Sequence, residues 1–247
     1  MRPLYLLIVL CLTMYSGYAQ PKSYTTNNAH SHNDYEQKYP FYAAFEAGFG
    51  SIEADIHLVN GKILVGHDAI KLNDSNTLAR LYLNPLSEKL NNNIQLQLLI
   101  DIKTDALSTL NALIILLETY PDIVHHKGIR IVISGNRPAE EAYKQYPEFI
   151  WFDGRLGKAY TKTALKKIGL LSESCYTFIK SKNPWPLQAS DENTIKLAIE
   201  QGHSMKKPVR LWATPDNKVT WEKMMQIKVD FINTDHIQDL ATFLNNQ

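Results

Sequence analysis

The stretch from Asn28 to Asp68 opens with Asn-Ala-His-Ser-His-Asn-Asp-Tyr (28–35), continues with Ser-Ile-Glu-Ala-Asp-Ile-His-Leu (51–58) and closes with Gly-Lys-Ile-Leu-Val-Gly-His-Asp (61–68). Residues 51–58 alternate as a strand does, and side chains two apart on a strand share a face. Glu53 and Asp55 therefore stand side by side. Two carboxylates so placed repel unless a proton or a cation lies between them, and a hard cation with oxygen ligands resolves the conflict most simply. His30 or His32 before the strand, and His67 after it, supply groups able to move protons around that cation. Solvated acids on a surface strand would need no histidines at both ends.

Working outward, the N-terminal residues read as a targeting segment. Met1-Arg2 is a positive start, Leu4 to Met14 an apolar run, and Gly17-Tyr-Ala19 a small-residue cleavage site. The run is short for a bilayer span, so residues 1–19 are expected to be a signal peptide and the protein exported, periplasmic or secreted, with no stable membrane insertion. Removing 19 of 247 residues leaves 228, the size of one barrel domain over 20–247. Cys11 would leave with the signal, so Cys175 would remain alone and no internal disulfide could form. The net charge of +1 and scattered lysines argue against nucleic acid or an anionic membrane as partner. A monomer acting on a small substrate is expected.

The rest of the chain alternates. Leu96–Ile102, Ile129–Ser134, Phe149–Phe152, Leu170–Phe178, Val209–Ala213 and Asp230–Asn233 read as buried strands. Between them helices are expected over Ala106–Tyr120, 138–145, Thr161–Ile168, Asp191–Gln201 and Val219–Ile227, with a last one over His236–Asn245. Asn60-Gly61 signals a hairpin turn, residues 69–92 a polar excursion, and 179–188 a loop. Strand and helix succeed each other about eight times, which predicts an α/β fold, a single-domain (β/α)8 TIM barrel. An open doubly wound sheet is the alternative, but no Gly-x-Gly-x-x-Gly follows the first strand. Barrel sites form at the C-terminal strand ends, and polar residues collect there: His30, Glu53 and Asp55, Asp101 and Lys103, Ser134 to Arg137, Asp153 and Arg155, Trp212, and Asn233 to Asp235.

Ala29-His30, Gly48 to Asp55, Gly61 to Asp68, Asp101-x-Lys103 and Phe231 to Asp235 resemble the glycerophosphodiester phosphodiesterases and phosphatidylinositol-specific phospholipases C. His-Ser-His-Asn-Asp-Tyr, Ser134-Gly-Asn136, Phe152-Asp-Gly-Arg155 and Arg210-Leu-Trp-Ala-Thr-Pro215 resemble the branch of bacterial proteins similar to the fungal altered inheritance of mitochondria protein 6. The resemblance implies Glu53, Asp55 and Asp101 as ligands of one divalent cation, Mg²⁺ or Ca²⁺. It implies His30 and His67 as the catalytic histidines, with His32 as a nearby or structural residue, and Lys103 as the base that holds the phosphate. The glycerophosphodiesterases carry arginine beside the first histidine, where this chain has Ser31, so that contact must come from elsewhere; Arg155 is the expected substitute. Asp101 replaces their usual glutamate. Asn33 is expected to orient the first histidine or touch the ion, and Trp212 to wall the substrate pocket. His57, although it shares the face of Asp55, is expected to be packed or solvated, and His125, His126, His203 and His236 to lie on the surface.

The implied activity is hydrolysis of a glycerol-, inositol- or lipid-head-group phosphodiester by two-histidine acid/base catalysis. The alternative is a non-catalytic barrel that binds a phosphorylated ligand. A glycoside hydrolase is disfavoured, because two carboxylates on one strand leave no room for a sugar between them.

Overall fold

The computed structural model describes residues 21–182 and 185–247. The expected signal segment, 1–19, lies outside them. The elements run β1 (Ala29–Ser31), α1 (Tyr42–Glu46), β2 (Ser51–Val59), β3 (Lys62–Val65), α2 (Asn84–Lys89), β4 (Leu96–Ile102), α3 (Ala106–Glu118), α4 (Pro121–Val124) and β5 (Ile129–Gly135). Then come β6 (Ile150–Arg155), α5 (Lys162–Leu165), β7 (Ile168–Ser174), α6 (Ala189–Ser204), β8 (Val209–Trp212), α7 (Lys218–Gln226), β9 (Ile232–Thr234) and α8 (Ile237–Asn245).

Among the described residues, eight of nine strands pair in parallel in the order β8-β7-β6-β5-β4-β2-β1-β9, and β3 folds back antiparallel on β2 through Asn60-Gly61. A parallel bridge between Arg210 and Phe231 brings β8 against β9, which makes the expected (β/α)8 barrel. The seam is thin, and a side chain supplements it: Asp230 accepts Val209 N–H at 2.7 Å and holds His203 Nε2 at 2.8 Å. His203 is accordingly buried, with 7% of its side chain exposed, and not the surface residue expected from its place near a helix end.

Five strands repeat one device. Leu99, Val132 and Leu170 form a small cluster apart from the main core, with Trp151 and Phe231 packed on it. Two residues further along the same strands stand Asp101, Ser134, Ser172, Asp153 and Asn233. Because positions i and i+2 share a face, an apolar floor inside the barrel carries a polar ring toward the C-terminal strand ends. Outside, Leu98, Ile100, Ile133, Ile150 and Phe152 are fully buried under the helices. Tyr143 stacks on Phe152 with ring centroids 3.7 Å apart.

Some expectations are corrected. Residues 69–92 are not merely a polar excursion: they hold a π-helical turn at Ala79–Leu83 and the helix α2, and bury Leu78, Tyr82, Leu83 and Leu86 completely. Tyr82 Oη donates to buried Asp34, which also takes Phe41 N–H and Ser31 Oγ–H. The segment thus anchors the turn after β1. The helix expected at 138–145 is a 3₁₀ turn over Glu140–Gln145. β7 starts at Ile168 and gives way to a 3₁₀ turn at Cys175–Phe178.

Candidate active site

The C-terminal strand ends enclose a cleft of about 280 Å³. Its lining comprises the acids Glu53, Asp55 and Asp101, the histidines His32 and His67, the cations Lys103, Arg155 and Arg210, and Asn33, Ser134, Gly135 and Trp212. Nine of the ten residues singled out in the sequence meet here; His30 is the exception.

The acids come from adjacent strands. Asp55 on β2 pairs in register with Asp101 on β4. One oxygen from each of Glu53, Asp55 and Asp101 lies within 4.8 Å of the others. Asp55 Oδ1 and Asp101 Oδ1 are buried with no hydrogen-bond partner among the described residues. Buried carboxylate oxygens left open are costly, and an all-oxygen set of three acids is what a hard divalent cation takes. The residues fit the ion that the motif implies. Without it, Lys103 Nζ bridges Asp101 Oδ2 at 2.7 Å and Asp55 Oδ2 at 3.0 Å. Burial opposes the ammonium charge of Lys103, but the two carboxylates outweigh it and lift Lys103 above its usual range. Burial likewise lifts Asp101, against the pull of Lys103.

Gly135 makes room for this arrangement. It holds φ at +67°, and a Cβ there would collide with Asp101 Oδ1 and the carbonyl of Ile102. Gly135→Ala is therefore expected to push the Asp101 carboxylate out of the cluster and weaken divalent-ion binding about tenfold or more, as loss of support for a metal ligand does. Calorimetric titration of Mg²⁺ and Ca²⁺ checks this, with the fold confirmed by circular dichroism.

His67 follows the β2–β3 hairpin. Its Nδ1 lies 2.8 Å from Asp55 Oδ2, and 59% of the side chain is exposed. His57 Nε2 donates to the His67 carbonyl at 3.1 Å, so the packed role expected for His57 serves to brace the His67 loop. His32 just past β1 mirrors His67: its Nδ1 lies 2.8 Å from Asp235 Oδ1, and 33% of the side chain is exposed. Burial lowers the proton affinity of His32, but Asp235 and Glu53 more than restore it, and the net shift is upward. A carboxylate on Nδ1 fixes ring orientation and leaves Nε2 for chemistry. Tyr35 Oη sits 2.9 Å from Asp55 Oδ2 and 2.6 Å from Asn33 Oδ1, tying the two sides together.

His30 differs from the expectation that it faces substrate. It has no exposed surface, and both ring nitrogens are engaged, Nδ1 with Ser51 Oγ and Nε2 with Glu53 Oε2, each at 2.7 Å. Burial first, and then the neighbouring Arg210 charge, bring His30 down to about 4, which keeps it neutral at physiological pH. The physical reason is depth. His30 and His32 share a strand face, but His30 lies one layer lower, where Arg210 from β8 covers it.

Arg210 was visible in the sequence only as part of a motif. The available signal was its spacing, two residues before Trp212 and hence on the same inner face. Its Nη1 lies 2.8 Å from Glu53 Oε2 and 3.2 Å from Asn233 Oδ1. Burial works against the Glu53 charge, yet Arg210 and His30 hold that carboxyl well below the usual range. Arg155, the expected substitute for the missing arginine, lies at the rim, 51% exposed and 3.5 Å from Glu173.

Residues 22–97 match the AIM6-like phosphodiesterase domain, and residues 208–238 match the glycerophosphoryl diester phosphodiesterase family. Among solved structures, a glycerophosphodiester phosphodiesterase from Parabacteroides distasonis superposes with a TM-score of 0.61 at 16% identity, covering 89% of this chain and 97% of that one. A calcium-dependent phosphoinositol-specific phospholipase C from Pseudomonas sp. gives 0.56 at 12% identity, over 90% and 94% of the two chains. The fold is thus the one these solved structures share, and over residues 22–97 and 208–238 the sequence is similar to phosphodiesterase families. Curated proteins similar to the chain carry the name altered inheritance of mitochondria protein 6. The relative of that name in Eremothecium gossypii is 24% identical over 87% of this chain and 68% of its own length. A homolog in Arthroderma benhamiae is 25% identical over 84% and 81%. The Saccharomyces cerevisiae protein reaches 40% identity over 81 residues, 32% of this chain and 21% of its own.

Proposed function

We propose that the protein is an exported, divalent-cation-dependent phosphodiesterase that cleaves a glycerol-, inositol- or lipid-head-group phosphodiester, with His32 and His67 as its acid and base. The observation that carries this reading is the pairing of two histidines, each held at Nδ1 by a carboxylate, on one cleft beside the three-acid cluster. One ring removes the proton of the attacking hydroxyl, and the other protonates the leaving oxygen. Both roles need a free Nε2 at the cleft, which His32 and His67 have and sealed His30 lacks. Among the described residues no helix is long and apolar enough to cross a membrane.

Charge supports the same reading. Glu53, Asp55 and Asp101 face Lys103 and Arg210, three negative groups against two positive ones, while Arg155 at the rim is offset by Glu173. A phosphodiester carries one negative charge and would be repelled. A divalent cation held by Glu53, Asp55 and Asp101 would leave the site one positive charge in excess and would neutralise charge growing on the phosphoryl oxygens. The protein's own groups do the rest. Lys103 meets a phosphoryl oxygen, His32 and His67 move protons, and Trp212 walls the cleft.

The test is hydrolysis of an aryl phosphodiester by the mature protein. EDTA should abolish activity, and either Mg²⁺ or Ca²⁺ should restore it. A folded protein inert with both ions, and equally inert on glycerol- and inositol-phosphodiesters with their own neighbouring hydroxyl, would move the assignment to a barrel that binds without turnover.

A further inference from the structure

The arginine that stands beside the first histidine in the glycerophosphodiesterases is Ser31 here, and the structure closes that position to substrate. Ser31 is fully buried, with its hydroxyl turned away to donate to Asp34 Oδ1 at 2.8 Å. A guanidinium nevertheless reaches the cleft from the opposite side of the sequence. Arg210 on β8 is 4% exposed, lines the cleft and contacts Glu53. Trp212, two residues on and on the same strand face, lines the cleft with it.

We propose that Arg210 is the residue that receives the phosphate of the substrate, parked on Glu53 until a divalent cation claims that carboxylate. The proposal rests on the phosphodiesterase reading above and names a phosphate contact that reading lacks. Three observations carry it. First, the contacts of Arg210 use one end of the fork: Nη1 is shared among Glu53, Asn233 and His30, whereas Nε is buried with no acceptor among the described residues. A guanidinium has five N–H groups in a rigid plane, and an anionic oxygen pair satisfies two at once. Second, its present acceptor is itself one of the three clustered acids. A cation bound to Glu53 would weaken the hold of Glu53 on Nη1, because two positive groups then compete for one carboxylate. The guanidinium is thereby freed at the moment the site becomes able to hold an anion. Third, the other arginine at the cleft, Arg155, is half-exposed and lies against Glu173, which screens and occupies it.

This predicts a split that a purely structural counter-ion to Glu53 would not produce. Calorimetric titration of the mature protein would use two probes, the metal ion alone and then dimethyl phosphate in saturating metal. In Arg210→Met, affinity for the ion alone should stay equal or rise several-fold, since a competitor for Glu53 is gone. Affinity for dimethyl phosphate should fall roughly 10- to 100-fold, the loss expected for a charge-assisted hydrogen bond. Arg210→Lys, which keeps the charge but loses the fork, should fold even where Arg210→Met does not, and should recover only part of the anion affinity. With an aryl phosphodiester the loss should fall mainly on KM. Unchanged dimethyl phosphate affinity in either variant overturns the assignment of Arg210 and leaves the phosphodiesterase reading standing. A joint loss of ion and anion binding in a variant with wild-type Tm overturns it as well. A wild-type protein that binds the ion but no dimethyl phosphate overturns both readings.

Discussion

Hydrolysis should fall by roughly two to four orders of magnitude in either His32→Ala or His67→Ala, the range that a positioned general acid or base contributes. The fold should be unaffected, because both side chains are partly exposed at the cleft and are not core residues. Ion binding should survive in both, since neither ring belongs to the acidic cluster. His30→Asn provides the contrast. His30 has no exposed surface and sits between Ser51 and Glu53, so its replacement leaves buried polar groups short of partners. A cost of about 1–3 kcal/mol is expected. In a domain of this size each kcal/mol lowers the Tm by roughly 2–4 °C. Rates and melting curves for the three variants decide the matter. Near-normal turnover in His32→Ala, with a collapse in His30→Asn at unchanged Tm, would return the catalytic role to His30.

Asp55→Asn should have the broadest effect of any single change in the cleft. Its carboxylate orients His67 at 2.8 Å, holds Lys103 at 3.0 Å and lies 2.9 Å from Tyr35 Oη, while its second oxygen is buried and open. A carboxamide is neutral and turns two donors into a site built for cations. It therefore removes an ion ligand and releases the His67 ring at once. Ion-induced stabilisation is the cleanest readout. An ion at 100 times its Kd raises wild-type stability by about 2.7 kcal/mol, and Asp55→Asn should lose nearly all of that gain. Activity should drop at least as far as in His67→Ala. If the variant gained as much Tm from Mg²⁺ or Ca²⁺ as the wild type, the acidic cluster would not be the ion site.

Local periodicity was enough to read most of the fold. Leu96–Ile102 and Ile129–Ser134 are apolar runs of buried-strand length, and Ala106–Tyr120 is a helix stopped by Pro121; the structure places all three within a residue or two. Where short elements carry little periodic signal, the reading failed. The turn at Glu140–Gln145 is too short to distinguish an α-helix from a 3₁₀ segment. In 69–92, polar Asn73-Asp-Ser75 masked a buried face whose key residue, Tyr82, is fixed by Asp34, 48 positions earlier.

The site divides along the same line. Glu53 and Asp55 share a face because strands repeat every two residues, and His67 follows them because Asn60-Gly61 turns the chain straight back. These are local consequences of backbone geometry, and the sequence alone determines them. Depth inside the barrel is another matter. His30 and His32 have the same facing and differ only in layer. That layer is set by how β1 is staggered between β2 and β9 and by Arg210 arriving from β8 across the closing seam. Stagger and closure arise from pairings between strands about 20 to 200 residues apart, so only the tertiary structure could bury one histidine, open the other and bring Arg210 onto Glu53.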